Sequence, residues 1–296
     1  MRRSFDAILV DLDGTLVDER DQVHPRTLEA LRAADAAGVA VMVATGRSET
    51  ATIPVLDALG LDGPAVVFNG AGIWCPRERR LIEERVLADV TVRRALDYGL
   101  ARGHMTVTMC RGTKYVMEPA AEVERMALED MTGLTFVSTP AELAAEYAIR
   151  VTLFSDRHAD SGEFAAEVEA HVGRPVYTTH FPLCWLPRHR SSALLVCDLH
   201  PPCRGKAEGL RFLEETRGIP PARVVAVGDA TNDLPMFERA GLAVAMEGSF
   251  AEARDAADRI IGAPGTGTIG ELVEELFLDP GRRDPGGSET AALTGS

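Results

Sequence analysis

Two aspartates stand one residue apart in Asp11-Leu12-Asp13-Gly14-Thr15-Leu16, directly after a short apolar run at residues 7–10. Such a run suits a strand buried on both faces, and ligand sites in parallel α/β sheets lie beyond the carboxyl ends of the strands. Alternation along an extended chain sends Asp11 and Asp13 to the same side. One can then act as nucleophile or metal ligand and the other as general acid/base, while Gly14 lets the chain turn away. Alone, an Asp-x-Asp is as often a plain acidic junction between strand and loop.

Three further groups stand with it. At the end of a second apolar run, Thr45-Gly46-Arg47 offers a hydroxyl, free backbone N–H groups and a guanidinium. A helix beginning near Arg47 would add its N-terminal dipole, which makes an anion cradle. Lysine is rare in this chain, at Lys114 and Lys206 alone, and Lys206 opens a helix predicted over 206–216. A cation there opposes the helix dipole, so a functional role is favoured. Gly228-Asp229-Ala230-Thr231-Asn232-Asp233 follows another buried strand, at 224–227. Two more carboxylates at that end, combined with Asp11 and Asp13 and with no His or Cys nearby, favour Mg²⁺ over zinc. Asn232 and Asp233 can equally cap a helix, which is compatible with a ligand role.

These residues need a scaffold that brings strand ends together. The chain of 296 residues is 46% hydrophobic and 26% charged, enough for one large or two modest domains. Strand, helix, strand, helix, strand over residues 7–68 is the rhythm of a parallel sheet with helical crossovers. Between about 81 and 199 it gives way to short strands at 105–109, 147–154 and 194–197 with amphipathic helices, one behind a capping box at Thr139-Pro140-Ala141-Glu142. After Pro201-Pro202 the first rhythm returns, through a strand at 243–245 to a final helix capped at Thr268-Ile269-Gly270-Glu271. The reading is a Rossmann-like α/β core over 1–82 and 201–278, an inserted α+β unit over 83–200, and a disordered Gly/Pro/Ser-rich tail over 279–296.

Charge and cysteine use bound the partners. Against 45 Asp+Glu there are 31 Lys+Arg, a formal charge of −14, so no net positive field draws in nucleic acid or an anionic membrane. No run approaches the roughly 20 apolar residues of a membrane helix. Met1-Arg2-Arg3-Ser4 is not followed by a signal-peptide core. The five cysteines contain no Cys-x-x-Cys pair and read as thiols in a reducing cytoplasm.

In order and spacing, Asp11–Leu16, Thr45-Gly46-Arg47, Lys206 and Gly228-Asp229-(x)2-Asn232-Asp233 resemble the four motifs of the haloacid dehalogenase superfamily. An insertion between Val67-Phe68-Asn69-Gly70-Ala71 and the lysine is similar to its C2B-capped branch, the Cof-type sugar-phosphate phosphatases. So are Ala240-Gly241-Leu242-Ala243-Val244-Ala245-Met246 and Ala257-Asp258-Arg259-Ile260-Ile261. The core match covers about 5–80 and 202–278, while the cap matches only in length and position. The resemblance implies an aspartyl-phosphate on Asp11 and a general acid/base at Asp13. It implies Mg²⁺ held by the Asp11 side chain, the Asp13 backbone carbonyl and Asp229, with Asp233 in or just behind the shell. Thr45, Gly46, Lys206 and Asn232 would hold the phosphoryl group, and Arg47 and Asn69 would reach the substrate, with the two asparagines alternatively orienting Lys206. The implied substrate is a small phosphorylated metabolite, a sugar phosphate first. A phosphomutase or phosphotransferase, or a non-enzymatic phosphate-binding module, stands as the alternative.

Other signals carry less. Gly265-Thr266-Gly267-Thr268-Ile269-Gly270 fits a dinucleotide string but has no βαβ unit after it, and reads as a glycine-rich helix entry. The seven histidines are scattered without ligand spacing. Arg188-His189-Arg190 is the densest basic cluster of the insertion and reads as a solvated run rather than a grip on a second anion.

Overall fold

A computed structural model describes residues 4–129 and 131–279 of the chain. The first three residues, and the tail beyond Asp279 read above as disordered, lie outside the described residues. From the N-terminus run β1 (Ala7–Asp11), α1 (Pro25–Ala36), β2 (Ala40–Ala44), α2 (Glu49–Leu59) and β3 (Ala65–Val67). The chain then turns back through β4 (Gly72–Cys75) and β5 (Arg80–Glu84). An inserted unit follows with α3 (Asp89–Arg102), β6 (Met105–Cys110), β7 (Thr113–Met117), α4 (Glu122–Leu128) and β8 (Leu134–Val137). It continues through α5 (Pro140–Leu143), β9 (Arg150–Ser155), α6 (Ser161–Val172), β10 (Tyr177–Pro182) and β11 (Leu195–His200). The return comprises α7 (Glu208–Arg217), β12 (Val224–Gly228), α8 (Leu234–Phe237), β13 (Leu242–Met246), α9 (Ala251–Ala256), β14 (Arg259–Ile261) and α10 (Thr268–Val273).

The first sheet has the order β14-β13-β12-β1-β2-β3-β4-β5, parallel except where β4 and β5 double back. Strand order runs away from β1 in one direction through β2 and β3, and in the other through β12 and β13. The loops leaving β1 and β12 therefore diverge and open a crevice at their carboxyl ends. Period-two alternation divides each strand between two cores. Ile8, Val10, Val41, Val43, Val225 and Val227 pack with Leu31, Leu56, Ile269 and Leu272 of α1, α2 and α10. Leu9, Met42 and Ala226 pack on the other face with Leu210, Met236 and Phe237 of α7 and α8. Being covered on both faces is why these strands read as continuous apolar runs.

The inserted unit has its own sheet, β10-β11-β9-β6-β7-β8, antiparallel except for the parallel β7–β8 pair. Val151, Leu153, Cys197 and Leu199 sit beneath α3 and α6, against Val92, Leu96, Phe164 and Val168. Their neighbours Arg150, Thr152, Asp198 and His200 point the other way and are buried as well. A buried face carrying two charges and an imidazole is not built for packing alone.

Several local expectations need correction. The helix predicted from Lys206 enters through a 3-10 turn, Gly205–Ala207, and becomes α-helical at Glu208. At Thr139 the Glu142 carboxylate does accept the Thr139 N–H at 2.8 Å, but the helix it opens is a single turn. Thr268 does not cap the final helix. Gly267, at φ 84, is the capping position, and the Thr268 hydroxyl accepts the Gly262 N–H at 3.1 Å. Strands β5, β7 and β10 escaped the sequence because their mixed composition gives no apolar run, and β4 and β8 because each is only four residues long. Among the described residues no helix is long and apolar enough to cross a membrane.

One turn positions the second half of the site. Gly70 has φ +97, and a Cβ there would lie 2.2 Å from the Gly205 carbonyl oxygen, next to Lys206. Gly70→Ala should therefore combine backbone strain with an overlap against main chain, costing roughly 2–4 kcal/mol. Thermal or urea unfolding measures this, and an unshifted midpoint would show that the approach is not tight.

Candidate active site

Asp11 is the last residue of β1, and Asp229 follows Gly228, the last residue of β12. Neighbouring parallel strands thus deliver two carboxylates to the crevice. Close packing requires glycine twice. A Cβ on Gly14, whose φ is +75, would stand 2.4 Å from Asp229 Oδ2, and one on Gly228 would stand 2.4 Å from Asp233 Cγ. Asp233 accepts the N–H groups of Asp229 and Ala230, both at 2.9 Å, so the turn after β12 is folded around that carboxylate. The capping role for Asp233 and its place in the acidic group coexist.

Lys206 lies inside this group. Its Nζ donates to Asp11 Oδ1 at 2.5 Å and to Asp233 Oδ1 at 2.6 Å, and all three side chains are buried. The carboxylate oxygens of Asp11, Asp229 and Asp233 come within 4.8 Å of one another. Burial pushes the Asp11 carboxyl well above its ordinary value, against Lys206 and with the charges of Asp233, Asp229 and Asp13. Burial and Asp233 likewise raise Asp229 to about 7. Burial alone would depress the Lys206 ammonium, but Asp11 and Asp233 outweigh it and hold it above its ordinary value.

One ammonium among three carboxylates leaves two negative charges uncompensated, which is the charge of a divalent cation. The donors are all carboxylate oxygens, and no His or Cys joins the group among the described residues. That set fits a hard cation such as Mg²⁺.

Asp13 lies at the edge of this group, its charge still felt at Asp11. Strand β1 ends at Asp11, and the Asp13 side chain is 48% exposed. Arg47 holds it, with Nε 2.9 Å from Oδ2 and Nη2 on Oδ1, and reaches Asp21 at 2.5 Å. Its carboxylate therefore stands at the mouth, outside the trio of Asp11, Asp229 and Asp233. Thr45 is fully buried, and its Oγ1 accepts the Arg47 N–H at 3.0 Å, leaving its own proton to donate. Helix α2 begins two residues after Arg47, behind Ser48. Gly46 faces Asn69, whose side-chain nitrogen would lie 3.0 Å from a Cβ there. Asn69 and Phe68 have φ of 50 and 53, two successive non-glycine residues in the left-handed region. Asn232 donates to Asn69 Oδ1 at 3.0 Å, and Asn69 donates to Thr179 of β10 at 3.3 Å. The two asparagines bind one another and the inserted unit rather than Lys206.

Sequence reading missed the contribution of the inserted sheet: Arg150, Thr152, Thr179, Asp198 and His200. Alternation in Arg150-Val151-Thr152-Leu153 and Cys197-Asp198-Leu199-His200 was the available signal. His200 is fully buried, with Nε2 3.3 Å from Thr179 Oγ1 and Nδ1 without a hydrogen-bond partner. Burial, then Arg150, push its pKa well below the ordinary value, so the ring is neutral. The basic run of the insertion is not simply solvated. Arg190 pairs with Glu19 at 2.6 Å and Arg188 approaches Asp21 at 3.6 Å, both across to the first unit.

A family model described as haloacid dehalogenase-like hydrolase matches residues 8–270. Among similar proteins is pyridoxal phosphate phosphatase YbhA of Escherichia coli K12, 26% identical, over 90% of this chain and 96% of that protein. Another is a phosphoglycolate phosphatase of Methanothermobacter thermautotrophicus, 26% identical, over 92% and 98%. A haloacid dehalogenase-like hydrolase structure from Bacteroides thetaiotaomicron superposes with TM-score 0.75 at 22% identity, over 92% of this chain and 100% of that one. The structure of BT4131, described as a subclass IIB sugar phosphatase, gives 0.74 at 21% identity, over 91% and 98%. These superpositions establish the fold.

The crowded carboxylates make stability pH-dependent. Because Asp229 binds its proton more tightly folded than unfolded, the metal-free fold loses stability as pH rises from 3.8 through about 7. Asp229→Asn should therefore gain in melting temperature over the unsubstituted protein as pH is raised. Mg²⁺ should protect the unsubstituted protein more above that window than below it, since cation and proton compete for the same oxygens. A gap between the two proteins that does not vary with pH would overturn this linkage.

Proposed function

The chain belongs to the haloacid dehalogenase-like hydrolases, and from that premise we propose that it is a Mg²⁺-dependent phosphatase that hydrolyses a small phosphomonoester, a sugar phosphate first, through an aspartyl-phosphate on Asp11. The observation that carries this reading is the buried Asp11–Lys206–Asp233 group beside Asp229, with Asp13 held by Arg47 at its mouth. Mg²⁺ would be held by the Asp11 side chain, the Asp13 backbone carbonyl and Asp229, with Asp233 in or just behind that shell, and would supply the charge neutralisation that lets a carboxylate approach a phosphate.

The chain's own residues account for the rest. An Asp11 oxygen attacks phosphorus while the bond to the leaving oxygen breaks, and that oxygen takes its proton from Asp13. Asp13 then removes a proton from water, which attacks the acyl phosphate, frees Asp11 and releases inorganic phosphate. Lys206 and the Thr45 hydroxyl stabilise the phosphoryl oxygens, with Gly46 and Asn232 completing that pocket. Phosphoryl transfer depends mainly on this positioning and charge stabilisation. Arg47 sets Asp13 and stands where an incoming anion meets it. Asn69 and Thr179, bonded to each other across the two units, put mixed donors and acceptors beside Asn232, which supports a hydroxyl-bearing leaving group. The relatives named for pyridoxal phosphate and phosphoglycolate support a small monoester in general. Five free thiols suit a reducing compartment such as the cytoplasm.

Purified protein with Mg²⁺ should release inorganic phosphate from p-nitrophenyl phosphate and from members of a hexose phosphate panel without any acceptor alcohol. No release from any of them would overturn the reading, and release only with an acceptor would make the protein a phosphotransferase. Asp11→Asn should lose roughly 10³-fold or more in kcat with its circular dichroism unchanged, since the nucleophile is gone. Asp13→Asn should lose roughly 10²- to 10⁴-fold. Near-normal turnover in either variant would remove that residue from its role.

A further inference from the structure

The peptide that sets the Thr45 hydroxyl is held from the inserted unit. Three consecutive carbonyls of the loop after β2 are each bound by a separate donor. The Asn69 N–H binds Thr45 O at 3.0 Å, the Phe68 N–H binds Arg47 O at 2.8 Å, and Arg150 Nη1 binds Gly46 O at 2.8 Å. Two of these donors are backbone groups of the left-handed Phe68–Asn69 turn, within the same sheet unit. The third is a side chain on β9, from the other sheet.

The middle carbonyl matters most, because a peptide is planar and its C=O and N–H point in opposite directions. Gly46 O and the Arg47 N–H belong to one such plane. Arg150 pulls the oxygen end, and the N–H end donates to Thr45 Oγ1 at 3.0 Å. That bond fills an acceptor site of the hydroxyl and turns its proton outward. We propose that Arg150 is a positioning residue of the phosphate site, acting through the Gly46–Arg47 peptide on the Thr45 hydroxyl. The proposal rests on reading that loop as the place where a phosphoryl group binds.

The surroundings of the guanidinium favour this over a packing role. Arg150 is 9% exposed, so its donors need acceptors inside the protein. Nε and Nη2 lie 3.2 and 2.9 Å from Met109 Sδ, a weak acceptor. Asp198 Oδ2 is 3.6 Å from Nη1, beyond hydrogen-bond reach, while its Oδ1 is taken by Thr152 at 2.5 Å. Gly46 O is thus the one oxygen within hydrogen-bond distance of the guanidinium among the described residues. The Phe68 ring, 5.6 Å below, adds a cation–π contact and ties the same arginine to the strained turn.

The experiment compares Arg150→Met and Arg150→Lys with the unsubstituted protein, with Mg²⁺ present. It reads kcat and KM on p-nitrophenyl phosphate and on a hexose phosphate, the calorimetric Kd of inorganic phosphate, and thermal unfolding. Arg150→Met should lose roughly 10- to 100-fold in kcat on both substrates alike and weaken phosphate binding by a similar factor. Arg150→Lys keeps the charge and one donor, and should fall between, at about three- to tenfold. Folded variants with unaltered kcat and phosphate Kd would overturn the proposal, as would a loss confined to KM for the hexose phosphate, which marks a leaving-group contact. If Arg150→Met does not fold, Arg150→Lys decides alone, and unaltered values there overturn it. Absent turnover in the unsubstituted protein would overturn the phosphatase reading instead, and phosphate binding would still decide the role of Arg150.

Discussion

A buried lysine ammonium held between two buried carboxylates, with a third beside them, is the constraint from which most of this structure follows. Charges removed from water are costly unless each finds a partner, and a pair broken by loss of one member leaves an uncompensated charge worth about 3–5 kcal/mol. Asp11 and Asp233 must therefore meet Lys206 within hydrogen-bond distance or not be buried at all, while Asp229 stands half-buried beside them. No single element can bring them there. One comes from the end of β1, two from the turn after β12, and the lysine from the 3-10 turn where the chain re-enters after the insertion. The shortest route along the chain between Asp11 and Lys206 is 195 residues, so the group exists only when the whole parallel sheet has formed.

The inserted sheet packs on the first unit beside these charges. It does so with a face of mixed character. Val107, Phe154 and Val196 continue the apolar core of the first unit, while Arg150, Thr152, Asp198 and His200 bring polar atoms to the same boundary. The rim is held differently. Arg190–Glu19 is exposed and contributes little, whereas Trp185 stacks on Phe250 with ring centroids 4.4 Å apart. Orientation is set by the partly buried polar contacts, Arg150 on Gly46 and Asn69 on Thr179, because a misplaced sheet would leave them unpaired.

How much was legible follows from where each residue sits. Asp11, Thr45, Lys206 and Asp229 stand next to apolar runs or helix entries, so local pattern alone flagged them. Strands β1, β2 and β12 were readable for the same reason, being buried on both sides. The partner of Asp13 was not legible, because Arg47 and Asp21 reach that region from other parts of the chain. Thr268 was given a cap that the left-handed Gly267 takes. Arg150, Thr179 and His200 could be seen as alternating polar positions, but nothing local distinguishes a polar residue facing solvent from one facing another sheet.

Sequence by itself determined the chemistry on offer: clustered carboxylates, a hydroxyl and glycine before a helix, and a lone lysine where a dipole argues against one. It also determined the parallel-sheet rhythm that sends these groups to one edge, because hydrophobic period and strand ends are local properties. Only the tertiary structure decided which carboxylates share the lysine, that Asp13 belongs to Arg47, and that an arginine from the insertion grips the loop at Gly46. Those outcomes depend on contacts between residues far apart in the chain, where burial and competition for partners choose among pairings that local spacing leaves equal.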